Sequence, residues 1–98
     1  MNTRIKISDV CTGTNKLNFK IDNIGDNELV GVTIRLIGDK AVQPESFDEV
    51  VAPFGRFKKT FVDIKSETGT VSSAEFYPET KLGVCRDAME TKSGVTAC

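Results

Sequence analysis

The chain contains no histidine and no tryptophan, and only three cysteines, three prolines and one tyrosine. Without imidazole, neither a Ser-His-Asp nor a Cys-His nucleophilic arrangement can be assembled. A structural zinc site takes four cysteine or histidine ligands, and three isolated cysteines with no Cys-x-x-Cys pair make a poor one. No Gly-rich phosphate loop stands between a strand and a helix, and no Asn-x-Ser/Thr glycosylation acceptor occurs. Long apolar runs are missing too. The longest, residues 29–37, is broken by Gly31, Thr33 and Arg35, far short of the roughly 18 to 20 residues that span a bilayer. Charge of one sign is also absent. Thirteen basic residues face 14 acidic ones, for a net charge of −1. Such a balance gives no basic field for phosphates, so nucleic-acid binding and attachment to anionic membranes are not expected.

What is present is alternation. Ile5 and Ile7 alternate with Lys6 and Ser8, and Leu17, Phe19 and Ile21 with Asn18, Lys20 and Asp22. Val30, Val32, Ile34 and Leu36 share one face of the next run. Thr60, Val62 and Ile64 share another, and so do Ala74 and Phe76. A period of two marks strands with one wet face and one buried face. No capped i, i+3, i+4, i+7 stripe appears, so long helices are not expected.

Turn residues separate these runs: residues 12–15, 23–27, Gly38-Asp39, Pro53-Phe54-Gly55 and Glu67-Thr68-Gly69. Pro78 is expected to end the strand over residues 71–77. Residues 39–52 are less periodic and read as one short strand plus a crossover between sheets. The whole predicts an all-β, immunoglobulin-like antiparallel sandwich of about seven strands. It places the domain at residues 1–85 and a loosely held tail or linker at 86–98.

Cys11 follows the first strand, and Cys85 follows the last expected one. First and last strands often run side by side and parallel in such sandwiches, which favours a Cys11–Cys85 disulfide. Cys85–Cys98 is the rival pairing, and free thiols are the remaining possibility. An odd count leaves at least one cysteine over; Cys98 is the candidate for a free or intermolecular thiol. Separated cysteines suit an exported domain. Residues 1–6 contain no apolar stretch of a signal peptide. Two settings therefore remain: a cytosolic protein, or a piece of a longer exported chain.

Other constellations carry less. The oxygen-rich run 22–28 is a hairpin turn before it is a Ca²⁺ loop, because its spacing departs from an EF-hand and Ile24 occupies a position where a ligand would help. Asp48, Glu49, Asp63, Glu75 and Glu79 fall on strand faces without a spacing that pairs them for acid–base chemistry. Phe19, Phe61 and Phe76 are expected in the core, while Phe54 and Tyr77 are expected to pack a loop or to form an exposed contact. Arg35 and Lys58-Lys59 would blunt an exposed edge strand and so limit weak self-association.

The stretch 17–39, LNFKIDNIGDNELVGVTIRLIGD, resembles prokaryotic, archaeal-type cell-surface β-sandwich modules, including the CARDB-like adhesion-related domains. The shared pattern is an alternating strand, Asn-x-Gly, an acidic turn and a second alternating strand. The Ala52-Pro53-Phe54-Gly55 turn before residues 57–64, the early Cys11 and the late Cys85 are similar to features of those modules. The resemblance implies a non-catalytic structural, adhesion or assembly role at the cell surface, with no catalytic, cofactor or metal residue and with an unknown protein or surface-polymer partner. The alternatives from other classes are a module binding a glycan or Ca²⁺, and a small secreted inhibitor presenting residues 38–52 as its loop.

Overall fold

In the computed structural model, which describes residues 3–56 and 60–98, the chain forms eight strands, the alternating runs among them. They are β1 (Ile5–Gly13), β2 (Lys16–Asn23), β3 (Leu29–Gly38), β4 (Val42–Val51), β5 (Thr60–Asp63), β6 (Val71–Thr80), β7 (Gly83–Val84) and β8 (Glu90–Ser93). One antiparallel sheet has the order β1-β2-β5. The other has the order β4-β3-β6-β7, with β8 also on β6. The chain crosses between sheets after β2, after β4 and after β5, so the expected immunoglobulin-like sandwich forms.

Most inward-facing residues are those that the alternation selects; in β3 a register shift between Leu29 and Gly31 puts Leu29 in the core in place of the expected Val30. Ile5, Ile7, Leu17, Phe19 and Ile21 from one sheet meet Leu29, Val32, Ile34, Leu36, Val51, Val71, Ala74 and Phe76 from the other. Phe19 joins the layers, its ring centroid lying 5.2 Å from that of Phe76 and 5.9 Å from that of Phe47. Val62 and Ile64 pack against this core. Phe61 does not. It immediately precedes Val62 and has the opposite parity to Val62 and Ile64, so the pleat turns it outward, 48% exposed. There the Lys16 ammonium sits 4.2 Å from its ring centroid.

Two buried amides tie β4 to the opposite sheet. The Asn23 amide, 1% exposed, donates to the carbonyls of Asn27, Val51 and Ala52, and its oxygen accepts from the Gly25 N–H. The run 22–28 is thus a crossover between sheets rather than a hairpin, and Asn23 is its pin. At the other end of β4, the Gln43 amide donates to the Asp63 carbonyl and to Glu45. It accepts from the Lys65 N–H and the Thr68 hydroxyl. Residues 39–52, expected as a short strand with a crossover, and residues 38–52, expected as a presented loop under the inhibitor alternative, instead carry the ten-residue strand β4.

Two expectations about the C-terminal part are corrected. Pro78 does not end β6, which runs on to Thr80. Its carbonyl accepts from the Cys85 N–H at 2.8 Å, so its missing N–H faces the β7/β8 edge, and the ladder with β3 never needed it. Nor is the stretch 86–98 a loose tail. Opposite Pro78 the edge strand loops out as one 3₁₀ turn, Arg86–Ala88, and then rejoins β6 as β8, pairing Phe76 with Glu90 and Ser73 with Ser93. β7 and β8 are therefore one edge strand, interrupted where the proline has no hydrogen to offer.

Candidate functional site

Beyond β8 the backbone reaches β1. The Thr12 N–H donates to the Thr96 carbonyl at 2.9 Å and the Cys98 N–H to the Thr12 carbonyl at 3.0 Å, in a parallel bridge. Cys11 and Cys98 are consequently neighbours, with Cα atoms 4.9 Å apart, and are joined as a disulfide. The Asn18 amide donates to the Cys98 sulfur at 3.4 Å. Cys85 carries the free thiol. The expected Cys11–Cys85 pair and the expected leftover Cys98 are thus both corrected. First and last strands do run parallel and adjacent, but the last strand is β8 and its extension. In a parallel pair the end of β1 lies beside the end of the chain. Cys85, at the start of that edge, sits at the opposite pole, half-buried beside Thr3, Arg4 and Met89.

That opposite pole also gathers three of the exposed apolar residues, Ile24, Phe54 and Leu82. Ile24 follows Asn23, whose N–H donates to the Gly55 carbonyl at 2.9 Å, next to Phe54. Leu82, in the β6–β7 turn, lines a hollow with Asn27 and Glu28 of the β2–β3 crossover. Phe54 is 73% exposed and has a φ of 59°, in the left-handed region that an L side chain rarely adopts. It therefore packs no loop; it projects from one. Phe57, Lys58 and Lys59 lie outside the described residues.

The outer face of the larger sheet holds the polar constellation. Register sets Arg35 opposite Glu75 and Thr33 opposite Tyr77. The Arg35 guanidinium donates to Glu75 at 2.9 Å, and the Tyr77 hydroxyl reaches the same carboxylate oxygen at 3.3 Å. Hydrogen bonding with Tyr77, then the charge of Glu75, raises the pKa of the Arg35 guanidinium further above its already high range. The Thr33 hydroxyl donates to Glu79. Arg35 therefore stands in the middle of a sheet face, not on an edge. The 3₁₀ turn carries Arg86 to this face, where Thr33, Arg35, Tyr77, Val84 and Arg86 line an open hollow of about 390 Å³.

The carboxylates weighed for acid–base chemistry are not brought together. Glu75 and Glu79 are each held by a β3 side chain, Asp48 and Glu49 are exposed on β4, and Asp63 is exposed on β5. Among the described residues, no group of three or more cysteine, aspartate or glutamate side chains is arranged to hold a metal. Asn23, a candidate ligand in the oxygen-rich run, has its amide engaged by backbone. Sequence reasoning missed Asn23 and Gln43 as structural pins, and it missed Arg86; a polar residue in alternating sequence carries no mark of whether it is buried. Compared with protein-family models, with curated proteins and with solved structures, the chain has no match.

Proposed function

We propose that this chain is a non-catalytic β-sandwich module of a larger cell-surface or secreted protein, with a structural, adhesive or assembly role. One observation carries the reading: the Cys11–Cys98 disulfide, spanning 87 residues, clasps the first strand to the end of the last. Bridges of this kind persist in oxidising compartments and are rare in reducing ones. For so long a loop the chain-entropy model gives a stabilisation of about 4 to 5 kcal/mol, a large share of the roughly 5 to 15 kcal/mol typical of a domain. The exposed Ile24, Phe54 and Leu82 at the far pole suit contact with a protein or polymer partner. Kinship with CARDB-like adhesion-related modules belongs to the same proposal and rests on the stretch 17–39.

Thiol counting tests the compartment half of this reading. Protein recovered from an oxidising compartment and kept from reductant should present one alkylatable thiol per chain under denaturing conditions. Three alkylatable thiols would count against it.

A further inference from the structure

The interruption of the edge strand has a chemical consequence. A bulge re-aims the side chains it displaces, and here it delivers Arg86 to a face whose other guanidinium, Arg35, is already paired within the molecule. Arg35 is paired with Glu75, and Glu79 accepts from Thr33. Arg86 makes no side-chain hydrogen bond or ion pair among the described residues. The face thus has one guanidinium without an ion-pair partner among the described residues, set in a hollow with Tyr77 and the 47% exposed Val84 as its apolar flank.

We propose that this hollow binds an acidic sugar unit, a pyranose bearing a single carboxylate, with the Arg86 guanidinium holding the carboxylate. The proposal adds a ligand class to the module reading above and rests on that reading only for its biological setting. A guanidinium fork matches a carboxylate in two parallel hydrogen bonds. The Thr33 and Tyr77 hydroxyls, with the carboxylates of Glu75 and Glu79 beside them, offer partners for sugar hydroxyls. Val84 and Tyr77 offer apolar surface for the C–H face of the ring. The volume lies at the small end of the range for small-molecule sites, which is about 300 to 1,000 Å³. The same two glutamates argue against a polyacidic protein segment. One carboxylate finds a cation there, but a run of them meets like charge.

The experiment is an NMR titration of the oxidised full chain with glucuronate, glucose, acetate and tetraglutamate at low salt. Glucuronate should shift the Tyr77, Val84 and Arg86 resonances saturably. Glucose and acetate should each bind at least about tenfold more weakly, since each lacks one half of the recognised group. Arg86→Ala should weaken glucuronate by about tenfold or more, with an unchanged unfolding midpoint, and Arg86→Lys should retain part of the affinity. Glucuronate binding no tighter than glucose, or indifferent to Arg86→Ala, would overturn the proposal. So would tetraglutamate binding more tightly than glucuronate, which would assign the face to an acidic protein segment. Because the thiol count is read separately, loss of sugar binding leaves the compartment reading to its own test.

Discussion

Asn23 and Gln43 show how much a single buried amide can hold. Each satisfies its donors and acceptor at the seam between the sheets, so truncation strands carbonyls and an N–H away from water. Asn23→Ala should lower unfolding free energy by about 2 to 3 kcal/mol in urea denaturation, the penalty of leaving buried polar groups unpaired. The two phenylalanines that read alike in the sequence should behave differently. Phe19→Ala empties the contact between the layers and should cost about 3 to 5 kcal/mol. Phe61→Ala loses an exposed ring beneath Lys16 and should cost under about 1 kcal/mol by the same measurement.

At the scale of elements, most strands were legible because alternation reports directly on which face is buried. Leu17, Phe19 and Ile21, and equally Val32, Ile34 and Leu36, lie inside as the pattern requires. Phe61 is expected in the core from its aromatic character, but its parity opposes that of Val62 and Ile64, and the pleat follows parity. The final strand was illegible for another reason. Glu90–Ser93 is polar on both faces, and its place is set by the free edge of β6 and by the disulfide beyond it, neither of which leaves a local pattern. β8 sets the cysteine pairing, and the 3₁₀ turn opposite Pro78 presents Arg86; neither has a local sequence signal. A strand held by four residue pairs and a covalent clasp should depend on that clasp. In reduced protein, the amides of β8 should exchange with solvent well before those of β3 and β6, whereas in oxidised protein the gap should narrow. Equal protection of β8 in the two states would contradict this.

For the whole molecule, three crossings between sheets leave the first and last strands as neighbours, and the Cys11–Cys98 bridge closes the sandwich where they meet. This bridge, and not one through Cys85, secures the fold. Urea unfolding of oxidised protein, reduced protein, Cys98→Ser and Cys85→Ser tests it most directly. Reduced protein and Cys98→Ser should both fall below the oxidised form by about 4 to 5 kcal/mol, the loop-entropy value. Cys85→Ser should stay within about 1 kcal/mol of the oxidised form, as expected for a half-buried free thiol. The opposite pattern, with Cys85→Ser behaving like reduced protein and Cys98→Ser like the oxidised form, would place the stabilising bridge on Cys85 instead.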